Sequence, residues 1–388
     1  MIDIRNVRKE YPKMKRPAVS ALSMEVNKGE ICVFVGPSGC GKTTTLKMIN
    51  RIIEPTSGEI FVNGQNVMEQ DSDELRKHIG YVIQKTGLFP HYTVYENIAV
   101  VPRLLSWPEE KIAKRVDELL RLVDLDPEEN MNKYPKNLSG GQSQRVGVAR
   151  AMAVDPPVML MDEPFGAVDP ITRTQLQNEF LRLQKKVQKT ICFVTHDIDE
   201  AIKMGDRIAI MNDGQLIQYD TPENILFAPA NDFVAKFVGS DRSLKVLNLL
   251  RVSSILSTRI KRASQSTDLE ELKAFFRSPD KNRILIEDEQ GEVTGYVTKE
   301  DILTASSSSG WNRLVKVFPT SVKEDATLKE AMSDMLQNNT GALPVMDQNN
   351  RYLGLVSFND IRAYIGKAYE EYEHQLQRQT KTPRWHPR

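Results

Sequence analysis

Unbroken apolar runs alternate with helical spacings along the first 239 residues. The runs "ICVFV" (31–35), "VMLM" (158–161) and "ICFVT" (191–195) carry no charge, as strands buried on both faces of a parallel sheet do. Between them, Ile112, Val116, Leu119, Leu120 and Val123 recur three and four apart, which predicts an amphipathic helix. Strands alternating with helices predict a mostly parallel sheet from Met1 to about Gly239. After "FVGSDRSLKVLNLLR" the rhythm changes. "VTGYVTKEDIL" (293–303) returns 59 positions later as "YLGLVSFNDIR", and Leu269, Leu272 and Phe276 reappear in the same register as Leu328, Ala331 and Met335. Each copy reads helix, strand, turn, strand, helix, with turns "DEQGE" and "DQNNR" that suit hairpin connections. The run "SSSSG" separates the copies as a flexible linker. The expected boundaries are a first domain at 1–239, a linker at 240–257, repeats at 258–306 and 311–366, and a charged tail at 367–388.

Composition narrows the class. With 388 residues, 40% of them hydrophobic, two separate cores are expected. Lys+Arg and Asp+Glu each number 52, so no global basic field exists to hold a nucleic acid or an anionic membrane. The start "MIDIRNVRKEYP" is too charged for a signal peptide, and no apolar run approaches the roughly 18 residues that span a bilayer, so a cytosolic chain is expected. Cys32, Cys40 and Cys192 are odd in number and lack a C-x-x-C spacing, against a disulfide framework or a zinc site. Cys32 and Cys192 read as small strand hydrophobes.

"VFVGPSGCGKTTT" fits G-x-x-x-x-G-K-[ST] between an apolar strand and a helix. Gly36, Pro37, Ser38, Gly39, Cys40 and Gly41 then form an anion nest of inward N–H groups at a helix N-terminus. Lys42 supplies a cation to the β- and γ-phosphates of ATP, and Thr43 offers its hydroxyl to Mg²⁺. In "VMLMDEP" a strand delivers Asp162 toward the metal and Glu163 toward the attacking water. Alkylation of Cys40, inside the loop, is expected to block ATP binding.

"LSGGQSQRVGVAR" (138–150) contains a serine and glycines that would serve a simple N-cap. As a whole the run resembles the signature of the ATP-binding-cassette ATPases, and further family marks follow in order: Gln84 after "IGYVI", Asp169 closing "FGAVD", His196 after "ICFVT". The resemblance covers residues 1 to about 239 and implies an α/β fold, a phosphate-loop sheet with a helical subdomain. It further implies that Tyr11 stacks on adenine, that residues 36–44, Thr44 included, cradle the phosphates, and that Gln84 reaches metal and water. Asp162 supports Mg²⁺, Glu163 is the general base and His196 contacts the γ-phosphate. Ser139, Gly140, Gly141 and Gln142, with Asp169, belong to the ATP site, the signature completing it from a second copy. Val168 and Ser143 depart from the commonest family residues without touching this chemistry.

The same resemblance makes "QKTGLFPHYTVYENIAV" (84–100) the border of a groove that receives a short permease helix; as plain sequence it also reads as a core loop leading to a helix. Exporters usually fuse their membrane spans to the cassette, and repair or translation members carry a coiled coil or a second cassette, neither of which this chain shows. The repeated units resemble a tandem of cystathionine-β-synthase (CBS) domains, modules that often bind adenine nucleotides. Thr298 with Asp301, and Ser357 with Asp360, have the family's spacing: a hydroxyl for phosphate and a carboxylate for ribose hydroxyls. The spacing is equally that of a helix cap, and such pairs also serve as dimerisation surfaces.

The combination, with "MINRIIEPTSGEI" (48–60), resembles the ATPase subunits of bacterial importers for quaternary-amine osmolytes such as glycine betaine, carnitine, choline and proline betaine. It implies a second copy and membrane permease subunits as partners, an extracytoplasmic solute-binding protein acting indirectly, no nucleic acid, and a peripheral place on the cytoplasmic face of the membrane. In such relatives the regulator is cyclic di-AMP or ionic strength. Arg259, Lys261, Arg262, Arg378, Lys381, Arg384 and Arg388 are the bases for the latter. An importer of another solute with purely dimerising CBS domains, and a cassette ATPase outside transport, are the alternatives.

Overall fold

The computed structural model describes the chain apart from residues 13, 84–86, 167, 258–260, 279–282, 292, 306–309 and 382–388, with side chains described as far as 370. It divides into two compact units, Met1–Ser240 and Asp241–Arg388. No helix among the described residues is long and apolar enough to cross a membrane.

Among the described residues, the first unit holds ten strands: β1 (Ile2–Lys9), β2 (Val19–Val26), β3 (Ile31–Val35), β4 (Ser57–Val62), β5 (Gln65–Asn66), β6 (Ile79–Val82), β7 (Val158–Asp162), β8 (Thr190–Thr195), β9 (Arg207–Asn212) and β10 (Gln215–Asp220). The apolar runs become β3, β7 and β8, buried at every position, in a six-stranded sheet of order β10-β9-β3-β8-β7-β6. Its strands are parallel except for β10, which returns antiparallel on β9. Cys32 and Cys192 are register partners in β3 and β8 and are fully buried.

A second, antiparallel sheet of order β2-β1-β4-β5 was not legible in the pattern. Its strands bury only some of their positions, such as Ile2, Ile4 and Val7 in β1, and half-buried strands resemble loops when read alone. The helix Lys42–Ile49 contributes Leu46, Met48 and Ile49 to the core that residues of both sheets share. The helix expected around Ile112 is Glu109–Leu122; it packs with Val94–Leu104 and Gly140–Ala151 as a helical layer.

The second unit repeats one three-stranded design. β11 (Arg262–Ser264), β12 (Arg283–Glu287) and β13 (Val293–Thr298) form one sheet; β14 (Val322–Lys323), β15 (Ala342–Met346) and β16 (Tyr352–Ser357) form the other. In both, the first strand is parallel to the second and the second antiparallel to the third. The short strands β11 and β14 were not expected, being too brief to show a period. Leu272, Phe276 and Val297 centre one core, and Leu328, Met335 and Val356 the other; Leu285, Tyr296, Ala342 and Leu355 form a buried cluster spanning the two copies.

Residues 240–257, expected as a linker, are folded. They contain the helix Arg242–Leu249, and Leu247 and Val252 lie in the core of the second repeat. Ser257 and Leu355 exchange backbone hydrogen bonds of 3.1 Å in both directions.

Candidate functional site

β3 ends at Val35, and residues 36–41 turn the chain into the helix Lys42–Ile49. Two glycines make that turn possible. A Cβ on Gly36 would meet Met211 O at 2.1 Å, and Gly41, at φ 104°, would place one 2.4 Å from Ala18 O. Lys42 folds back over the loop, its Nζ donating to Gly36 O at 2.7 Å and Pro37 O at 2.8 Å. Pro37, Ser38 and Gly39 are exposed at the tip, while Thr44 is half-buried.

Cys40 points inward and is 3% exposed, with Sγ 3.6 Å from Lys42 Nζ. Burial pushes its thiol up, against the lowering pull of the ammonium. A reagent must therefore open the loop before it reaches the thiol, and alkylation there remains expected to block ATP binding.

The strand ends bring the carboxylates to the loop. Asp162 is the last residue of β7, and Thr43 Oγ1 donates to its Oδ1 at 2.9 Å. Desolvation raises the Asp162 carboxyl above its ordinary value, opposed by the Thr43 bond and reinforced by Glu163. Glu163 has a left-handed backbone (φ 47°), with its N–H on Val194 O at 3.0 Å. Its Oε1 stands 3.4 Å from Nδ1 of the exposed His196, which follows β8. Thr43, Asp162, Glu163 and His196 thus gather at the carboxyl edge of neighbouring parallel strands, where open α/β sheets bind ligands.

The Thr43 hydroxyl and the Asp162 carboxylate are hard oxygen donors, of the kind that hold Mg²⁺ when phosphate and water complete its shell. No cluster of three His, Cys, Asp or Glu side chains suited to a metal exists among the described residues.

Other predicted residues lie on separate elements. Tyr11 follows β1, partly exposed, with Lys9 Nζ 5.2 Å from its ring centroid. Ser139 caps Gly140–Ala151: its Oγ accepts from Gln142 N–H at 3.2 Å, and Gln142 Oε1 accepts from Ser139 N–H at 3.0 Å. The exposed Gly140 and the buried Gly141 open this helix on the helical layer. Asp169 caps Pro170–Val187, and the bond from Thr172 holds its carboxyl below its ordinary value. Gln84 lies outside the described residues.

In the repeats, the predicted pairs close on themselves. Thr298 Oγ1 donates to Asp301 Oδ2 at 2.5 Å and accepts from Asp301 N–H at 3.3 Å; Lys316 Nζ stands 2.9 Å from the same oxygen. Ser357 and Asp360 repeat the motif at 2.5 and 3.2 Å. A groove of about 290 Å³ is lined by neither pair but by residues of both repeats that include Thr294, Phe318, Thr320 and Tyr352. The Tyr352 hydroxyl is buried there without a hydrogen-bond partner among the described residues.

Lys261 and Arg262 are paired with Glu271 at 2.9 Å and Glu287 at 2.6 Å. Arg259, Arg384 and Arg388, and the side chains of Arg378 and Lys381, lie outside the described residues.

Sequence reasoning passed over Asn97, Arg150 and Glu200. Asn97 is an amide on the buried stripe of Val94 and Ile98, a signal available from the pattern. Glu200 is 6% exposed and accepts from Gln177 Nε2 at 2.9 Å, linking the Asp169-capped helix to the one that follows His196. Nothing local in the sequence marks Arg150.

Residues 19–166 match the family described as ABC transporter, and residues 252–308 and 316–367 match the CBS domain. The chain is 44% identical to the osmoprotectant import ATP-binding protein OsmV of Salmonella typhimurium, over 95% of this chain and 97% of that protein. It is 46% identical to the glycine betaine/carnitine/choline transport ATP-binding protein OpuCA of Bacillus subtilis, over 92% and 94%. Among solved structures, it resembles a dimeric post-hydrolysis state of the ATP-binding cassette MJ0796 bound to ADP and Pi (TM-score 0.52, 34% identity, 57% of this chain and 99% of that one).

Proposed function

Because this chain belongs to the ABC transporter family, as an ATP-hydrolysing subunit carrying a tandem CBS pair, we propose that it energises import of a quaternary-amine osmolyte of the glycine betaine, carnitine and choline kind. The observation that supports the solute class is the match, over nearly the whole length of both chains, to one protein named for osmoprotectant import and another named for glycine betaine, carnitine and choline transport.

Residues 36–44 receive the triphosphate, and Lys42 exchanges its carbonyl partners for β- and γ-phosphate oxygens. Thr43 and Asp162, with Gln84, would hold Mg²⁺, which would supply neutralisation of phosphate charge. Glu163 takes the proton of the attacking water, and His196 orients the γ-phosphate from 3.4 Å away from that carboxylate. Tyr11 stacks on adenine. Ser139, Gly140, Gly141 and Gln142 of a second copy, with Asp169, complete each ATP site.

The complex has two copies of this chain under membrane permease subunits, on the cytoplasmic face, and a solute-binding protein delivers the osmolyte outside. The exposed aromatics near residue 84 form the permease-facing surface. The CBS pair regulates the motor through cyclic di-AMP or ionic strength, with Thr298, Asp301, Ser357 and Asp360 at the helix starts as candidate nucleotide contacts. A purely dimerising role is the second reading, favoured by the closure of both carboxylates into their own caps.

The test is uptake of labelled glycine betaine, carnitine and choline by vesicles containing the chain, its permease and its solute-binding protein, with and without cyclic di-AMP inside. ATP-dependent uptake of at least one is expected. Hydrolysis without uptake of any would sink the solute class, and an unchanged rate across cyclic di-AMP concentrations would sink nucleotide regulation.

A further inference from the structure

The loop at residues 87–93 presents Phe89, Pro90, His91 and Tyr92 to solvent. Its rings pack on one another, His91 to Tyr92 at 4.7 Å and Phe89 to Tyr92 at 5.4 Å, yet Phe89 and Tyr92 remain 41% and 37% exposed. Two polar side chains from two different helices hold it from beneath.

Asn97, on Val94–Leu104, is fully buried. Its Nδ2 shares two N–H groups among Phe89 O at 3.2 Å, Tyr92 O at 3.1 Å and Thr93 O at 2.9 Å, and its Oδ1 accepts from Phe89 N–H at 2.8 Å. Phe89 O also accepts from Tyr92 N–H at 3.1 Å and Thr93 O from Asn97 N–H at 2.9 Å, so one buried amide reinforces the turn's own backbone bonds and reaches Tyr92 O as well.

Arg150 ends the other side. Its Nη1 donates to Gly87 O at 2.8 Å, and its guanidinium carbon lies 5.9 Å from the Phe89 ring centroid. Burial lowers its affinity for the proton, a cost that an apolar side chain of similar length would not carry.

Arg150 stands near the C-terminal end of Gly140–Ala151, the helix whose N-terminus carries the Ser139 cap and the signature glycines. Twelve residues make a rod about 18 Å long. The signature turn and the aromatic loop are thus at opposite ends of one rigid element, and Asn97 ties the loop to the helix packed beside it.

We propose that Arg150 and Asn97 are positioning residues that make the 87–93 loop a rigid extension of the helical layer, so that ATP held against the signature of one copy displaces that copy's aromatic loop, and the permease segment on it, as one body. This rests on the permease reading above. Neither residue touches ATP; both act through the loop.

The experiment compares ATP hydrolysis by the full chain alone and assembled with its permease in vesicles, for the unaltered chain, Arg150→Met, Arg150→Lys and Asn97→Ala. Arg150→Met is expected to leave hydrolysis by the chain alone and the melting temperature in place. The stimulation by permease assembly should fall about tenfold, within the usual size of couplings between sites. Arg150→Lys, which keeps a donor for Gly87 O, should restore most of it, a rescue that a packing role would not produce. Asn97→Ala should reproduce the loss.

Unchanged stimulation in Arg150→Met overturns the inference, and so does an equal loss with and without permease. Because the readout is hydrolysis, it stands even if no quaternary amine is transported. A stimulation absent from the unaltered chain overturns the inference together with its premise.

Discussion

Cys40 lies in the phosphate loop of an ATPase, a place where a reactive thiol would be a liability, and its surroundings keep it inert. It is buried, and desolvation outweighs the Lys42 ammonium, so the thiol rather than the thiolate dominates near neutral pH. Cys32 and Cys192 are buried in adjacent strands. Titration with Ellman's reagent should find almost no reactive thiol in the folded chain and all three after denaturation; rapid labelling of one equivalent in the native state would contradict this. Glu163 shows the opposite kind of placement. Its left-handed backbone is strained for a residue with a Cβ, and its N–H is held on Val194 O, which turns the carboxylate off the end of β7 toward His196.

At the scale of elements, the segment between the two domains carries a consequence of its own. Val246, Leu247 and Val252 are buried in the C-terminal unit, Leu247 and Val252 against Leu328 and Met335, so the chain enters that unit through the second repeat rather than the first. Leu247→Ala should destabilise the C-terminal unit by about 2–5 kcal/mol, the usual cost of emptying a buried leucine site. Calorimetry of the full chain should show one transition moved down and the ATP-stabilised transition unmoved. An unshifted thermogram would return the segment to the status of a tether. The helix starts at Thr298 and Ser357 illustrate the same scale: each capping box satisfies orphan N–H groups with a hydroxyl and a carboxylate, whatever else those residues bind.

For the whole molecule, the proposed ATP site needs groups that one chain holds on separate elements. Thr43, Asp162, Glu163 and His196 meet at one sheet edge, while Ser139 and Gly140 stand exposed on the helical layer. Glu163→Gln should therefore retain ATP, lose about 10²- to 10⁴-fold in hydrolysis, and accumulate as a dimer of twice the mass by light scattering with ATP and Mg²⁺. A variant that stays monomeric at every concentration while holding ATP would refute completion of the site by a second copy. The sequence by itself determined the glycine-rich loop, the strand that ends at Asp162 just before Glu163, the signature turn and the 59-residue repeat. These are legible because each needs particular residue types at adjacent positions, whether glycines where a Cβ would strike backbone or charge after a buried strand. Only the tertiary structure decided the antiparallel sheet, the burial of Cys40, the folding of residues 240–257 into the second repeat, and the grip of Asn97 and Arg150 on the aromatic loop. Each depends on contacts between distant residues such as Arg150 and Gly87, and short-range periodicity carries no record of which distant groups will remove one another from water.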